Sequence, residues 1–382
     1  MLLSDDKESC PGKWIIKWTS ARYKKTGDAF QEMEITRSSI YFNANRTTPA
    51  DEAVKESMLP FMSDPALFNE GAVEKAKQQL GELIHAEPSE FLFTSGTTES
   101  VHLAIKAIYE IYKHKGRHII TNATEHFAVL DCCKELEQQG GEITYLGVNR
   151  EGLIDPQELR SAIKPTTILV CIMAANNETG VVQPVEKISE ICEEHKIFFF
   201  SDASQFVGKM RCDVKELGIS GLAFGAHKMH GPKGIGVLYV DQKYRNVRDF
   251  ILENYSTPVT LAQIAGFGKA AEISQQNYWE TTAHVSKLKN YFEHQVLDME
   301  GLRINGSTKH RLYNTSNITF PENKNIKPLL DTFDFAENFK NPSYVLAAMG
   351  LSEDEIKNSF RFSFGKYNTL DEVKLLVEKI MK

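Results

Sequence analysis

Apolar positions along this chain alternate between two periods. Over residues 74–85 (EKAKQQLGELIH) they recur at helical spacing, and Phe91-Leu92-Phe93 then makes a short apolar run of strand length. The exchange repeats downstream. The pattern predicts a helix over 97–112, a strand over 118–121, a helix over 128–138 and a strand over 143–146. A strongly apolar strand over 168–173, a helix over 185–194 and a strand over 197–200 follow, the last running into Ser201-Asp202. Strands apolar at every position are buried on both faces. Alternation with helices therefore predicts an α/β fold with a largely parallel sheet covered on each side. From about residue 265 the pattern changes to one long helix reaching Phe292, a strand pair near Leu302 and 317–320, and a final helix from Leu370. A smaller α/β C-terminal domain is expected there. The predicted organisation is residues 1–38 as an N-terminal arm or extension, 39–265 as a large domain and 266–382 as a small one. The arm is polar, with a basic patch at Arg22-Tyr23-Lys24-Lys25, and reads equally as a loosely ordered tail.

Composition narrows the function. The chain has 382 residues, 42% apolar and 25% charged, and a net charge of -7. It is long enough for a large core, and it gives no electrostatic case for nucleic acid or an anionic membrane. No apolar run is long enough to span a bilayer, and MLLSDDKESC is acidic where a signal peptide would be basic and then apolar; a cytoplasmic protein is expected. Six cysteines, Cys10, Cys132, Cys133, Cys171, Cys192 and Cys212, show no metal-ligand spacing and read as reduced thiols. None lies beyond Cys212.

The chemistry concentrates where strands end. In AHKMHGPKGIG, Lys228 stands on a glycine-punctuated turn, downstream of Asp202 at the end of its apolar strand. A lysine on a stiff turn can form a Schiff base, and an aspartate at a strand end can hold a protonated pyridine nitrogen. Together they point to pyridoxal 5'-phosphate (PLP), with Lys228 as anchor and base; a lone lysine in such a turn would otherwise read as surface. Thr94-Ser95-Gly96-Thr97-Thr98 joins a strand to a helix, where backbone N–H groups and the Thr97 and Thr98 hydroxyls suit a phosphate; plain N-capping is the alternative. His126 follows another strand and could stack on the ring. Asn177 and Gln205, after two more, could donate to a ring oxygen. Arg361, in FRFSFG, would be costly to bury alone, so it implies either an internal acidic partner or a substrate carboxylate.

The strings IYFNANRTTPAD, FLFTSGTTES, TEH, NNE-x-GVVQP, SDASQ-x-VGK, HK-x-x-GPKGIG and PSYVLAAMGL followed by RFSFG resemble the cysteine desulfurases of the class V aminotransferase group, fold type I PLP enzymes. The resemblance implies a large domain with a mainly parallel seven-stranded sheet, Lys228 as Schiff-base lysine, Asp202 at the ring nitrogen, His126 on the ring as a second catalytic residue, and Asn177 and Gln205 near the ring oxygen. It further implies Thr98 and His227 at the phosphate, Arg361 on the carboxylate of an amino acid substrate, and a homodimer. The chain departs from that pattern in places. The family's persulfide-forming cysteine lies in a Ser/Gly-rich loop, whereas residues 330–341 here hold no cysteine, glycine or serine. The loop at 66–71 is short, Gly225 stands where the family has serine, and Tyr255-Ser256-Thr257-Pro258 replaces an Arg-Ser-Gly-Thr segment. The leading expectation is a C–S lyase or desulfurase-like enzyme acting on cysteine or a cysteine-derived amino acid. A class V aminotransferase on another amino acid, and a non-catalytic binding or assembly subunit, are the alternatives.

Overall fold

A computed structural model describes residues 39–63, 70–338 and 341–382; the expected arm at 1–38 and residues 66–69 of the short loop lie outside them. Among the described residues thirteen strands are β1 (Ile40–Tyr41), β2 (Phe91–Thr94), β3 (His118–Asn122), β4 (Glu142–Leu146), β5 (Thr167–Cys171), β6 (Phe198–Asp202), β7 (Gly221–Gly225), β8 (Gly236–Val240), β9 (Arg303–Ile304), β10 (Thr315–Thr319), β11 (Phe333–Asp334), β12 (Ala336–Glu337) and β13 (Ser359–Ser363).

Seven of them form one sheet in the order β2-β8-β7-β6-β5-β3-β4, antiparallel only where β8 meets β2 and β7. The mainly parallel sheet expected from the apolar runs is thus present. Its inner strands bury both faces: Phe199 belongs to one apolar cluster, while Phe198 and Phe200 belong to the other. One consequence positions everything that follows. All six parallel strands end at the same edge, the edge at which open α/β sheets hold ligands.

A four-stranded antiparallel sheet, β12-β13-β10-β9, makes the C-terminal layer over a third cluster rich in phenylalanine. β1 lies parallel to β11, so the first described residues run with this layer although they precede the large sheet in the chain. Residues 39–382 form one compact unit. The long helix predicted from residue 265 is two helices, Leu261–Gln276 and Tyr278–Val296, divided at Asn277. The first packs on the helices Glu52–Ser63 and Glu70–Ile84, and the second on Leu370–Met381. Among the described residues no helix is long and apolar enough to cross a membrane.

Candidate active site

Lys228 ends the turn Ala226–Lys228 directly after β7. The turn is rigid for steric reasons. A side chain at Gly231 would meet the Ala226 Cβ at 2.7 Å, and His230 holds a left-handed φ of 63°. Residues 47–51 clamp it from outside: Thr48 donates its N–H (2.8 Å) and its hydroxyl (3.0 Å) to the His227 carbonyl, and Asp51 N–H donates to the His230 carbonyl at 2.9 Å. Burial lowers the pKa of the Lys228 ammonium; the Asp202 charge opposes the shift and the Arg361 charge adds to it.

Asp202 closes β6, the neighbour of β7, and is buried. Its Oδ1 accepts the Ser204 N–H at 2.9 Å, and among the described residues it has no ion pair. His126 caps the helix Phe127–Gln138, its Nδ1 accepting the Ala128 N–H at 3.2 Å; burial holds its pKa below the ordinary value and keeps the ring neutral. Asn177 follows β5, and its Oδ1 is buried with no hydrogen-bond partner among the described residues. Gln205 is buried, donating from Nε2 to the Asn45 carbonyl at 2.9 Å while Oε1 accepts from Lys209.

At the end of β2, Gly96 starts the helix Thr97–Tyr112 with no side-chain cap on its N–H groups, so the capping alternative does not describe this turn. Thr98 is exposed and Thr97 half-buried. The helix start rests on a cross-strand pair, Gly225 and Gly236. A Cβ at Gly236 would lie 2.5 Å from the Gly96 carbonyl carbon, and one at Gly225 would lie 2.9 Å from Thr97 Oγ1. The departure at Gly225 therefore goes with a threonine hydroxyl pressed into the space a side chain there would enter. His227 Nδ1 lies 3.1 Å from Thr47 Oγ1, and burial pushes its pKa down to about 4.

Arg361 sits in β13 and is buried, at 8% exposure. Its Nη1 donates to the Asn177 carbonyl (2.8 Å) and its Nη2 to Asn43 Oδ1 (2.6 Å), while Nε has no partner among the described residues. Glu178 approaches closely enough to favour the charged guanidinium, yet among the described residues Arg361 makes no ion pair. A buried guanidinium met only by neutral oxygens keeps its attraction for an anion.

All nine predicted site residues, Thr97, Thr98, His126, Asn177, Asp202, Gln205, His227, Lys228 and Arg361, thus lie at the sheet's ligand edge or in the layer facing it. The sequence reading missed Asn43, Asn45, Lys209, Glu125 and Glu178. Asn45 is the hub: its Nδ2 reaches Thr315 Oγ1 (2.9 Å) and the Asn177 carbonyl (3.2 Å), and its backbone carbonyl takes Gln205. The polar run Asn43-Ala44-Asn45 after the apolar Ile40–Tyr41 was the available signal. Behind His126, the wholly buried Glu125 carboxyl is raised well above the usual range by burial. It accepts from Met173 N–H and Asn122 Nδ2, both at 2.6 Å, and no side chain supplies a cation.

These features fit PLP. Asp202 is a buried carboxylate without a cation, Lys228 an amine whose charge is disfavoured, and the uncapped helix start on paired glycines an anion cradle. The comparisons agree. Residues 53–250 match the aminotransferase class-V family. The chain is 38% identical over 369 residues to the cysteine desulfurase IscS of Mannheimia succiniciproducens, covering 89% of this chain and 91% of that one. Among solved structures, a NifS-like protein superposes with a TM-score of 0.80 at 29% identity, over 90% of this chain and 98% of that one. SspA, solved in complex with cysteine, gives 0.73 at 32% identity, over 87% of this chain and 100% of its own.

Proposed function

This chain belongs to the cysteine-desulfurase-like group of the class-V aminotransferases, PLP-dependent enzymes of the fold type I architecture, and from that premise we propose that it is a C–S lyase for cysteine or a cysteine-derived amino acid. The observation that carries the reading is Asp202, a buried carboxylate without a cation, one strand away from the largely buried amine of Lys228. The cofactor supplies a sink for negative charge at the substrate α-carbon. Asp202 would hold the ring nitrogen protonated, His126 would cover the ring, and Asn177 and Gln205 would serve its oxygen. Thr97, Thr98, His227 and the helix start would take the phosphate, and Lys228 would anchor the group through Nζ. Arg361 grips the substrate carboxylate and orients the α-hydrogen toward Nζ. The substrate amine would displace Nζ, and the freed Lys228 amine would then remove that proton, its lowered pKa favouring the neutral form that acts as base.

Departure of the β-sulfur completes an elimination that uses no enzyme thiol. Cysteine and water give pyruvate, ammonia and sulfide. The persulfide route is disfavoured by the described thiols themselves. Cys132, Cys133, Cys171, Cys192 and Cys212 are all buried, and burial raises each, Cys132, Cys192 and Cys212 to about 12. Residues 333–337, where the family carries its thiol loop, are taken up in β11 and β12. A homodimer belongs to the same reading and is tested by light scattering on the eluted protein.

Purified protein loaded with PLP and given L-cysteine is expected to release sulfide and pyruvate in equal amounts. Lys228→Ala is expected to lose the borohydride-reducible bond to the cofactor. Alanine as product would return the chemistry to persulfide transfer, and turnover that requires a keto-acid acceptor would make it an aminotransferase.

A further inference from the structure

Lys209 is a second amine beside the site, and the reaction above makes no use of it. It is 5% exposed and lines the same small cavity as Lys228. Its Nζ donates to Gln205 Oε1 and, at 3.3 Å, to Asn45 Oδ1. Both partners are oxygens, so in this arrangement the amine donates to each and holds the oxygen end of the Gln205 amide. The nitrogen end spends one N–H on the Asn45 carbonyl at 2.9 Å and keeps the other. Asn45 then reaches the Asn177 carbonyl, which also accepts from Arg361.

We propose that Lys209 is a positioning residue: by holding Gln205 Oε1 it fixes the amide so that an N–H, and not the oxygen, is available to the ring oxygen of PLP. The proposal rests on the cofactor assignment above. An amide reversed end for end would set one oxygen against another, losing a donor and gaining repulsion. Any residue that fails to discriminate the two ends of the amide loses this function, whatever its size. Methionine supplies no donor. Glutamine supplies either a donor or an acceptor and so cannot choose.

The test compares the PLP-loaded parent with K209M, K209Q, Q205L and K209M/Q205L. The readouts are the visible absorption band of the bound cofactor and its dissociation constant, with the melting temperature of each apo form alongside. K209M and K209Q are expected to move the band in the direction Q205L moves it and to weaken PLP about tenfold. The double variant is expected to bind no more weakly than Q205L, because Lys209 acts through Gln205. Parent-like bands and affinities in K209M and K209Q, or fully additive losses in the double variant, would overturn the proposal. So would a lowered melting temperature with an unmoved band, the mark of a purely structural lysine. If K209M does not fold, K209Q is judged by the same criteria. A parent chain that takes up no PLP would overturn the cofactor assignment itself, a failure seen before any Lys209 variant is made.

Discussion

Asn43 meets the Arg361 guanidinium through an amide oxygen, and the missing negative charge is what leaves Arg361 attractive to a carboxylate. Asn43→Asp would place that charge inside the protein, 2.6 Å from Nη2, in competition with the substrate. A charge-assisted pair is worth about 1.5–3 kcal/mol, so KM for cysteine should rise by about tenfold or more, with kcat falling less. Steady-state kinetics check this; an unchanged KM would return Arg361 to a structural role. Single side chains were also where sequence reading was least complete. Lys228 and Asp202 announced themselves by the turn and the strand end. Lys209, in SDASQ-x-VGK, carried no local sign that its amine would be buried against Gln205.

At the scale of elements, the turn 226–231 is held by residues 47–51 through backbone bonds, and its two histidines are kept neutral. His230 Nδ1 lies 2.9 Å from the Pro49 carbonyl, and burial pushes its pKa from 6.5 down to about 4. The sign follows from which state takes the proton. Above about pH 6.5 both folded and unfolded chains carry neutral His230. As pH falls toward 4 the unfolded chain binds a proton that the folded chain refuses, so stability is lost over that window. The loss for this one group is on the order of 2 kcal/mol. His230→Asn accepts the left-handed backbone and removes the titration. The melting-temperature gap between parent and variant should therefore move in the variant's favour from pH 6.5 to 4 and stay flat above. A gap independent of pH would refute this. Strands β5 and β6 were legible because their runs are largely apolar; the break at Asn277 was not, since the helical period continues across it.

Across the whole molecule, residues 40–51 stitch the two sheets together. β1 pairs with β11, Asn43 holds Arg361, Asn45 reaches Asn177 and Gln205, and Thr48 clamps the Lys228 turn. The site is thus assembled from both layers, and the described thiols remain inside their cores. In a Cys10→Ser background, iodoacetamide at neutral pH is expected to label none of the five buried cysteines in the native state, all five after denaturation, and to leave sulfide release intact. Native labelling that abolishes sulfide release would reinstate an enzyme thiol.

The sequence alone determined the alternation of apolar strands and amphipathic helices, because burial on one or two faces writes a period into neighbouring residues. It also determined the candidates at strand ends, since a parallel sheet must bring those ends to one edge. Only the tertiary structure decided how they are partnered. Arg361 could have faced an internal acid or a neutral cage, and residues 330–338 could have been a loop or sheet edges. It also brought Asn43, Asn45 and Lys209 to the site. Hydrogen bonds and ion pairs between residues hundreds of positions apart leave no periodic trace along the chain; they exist only once the two sheets meet.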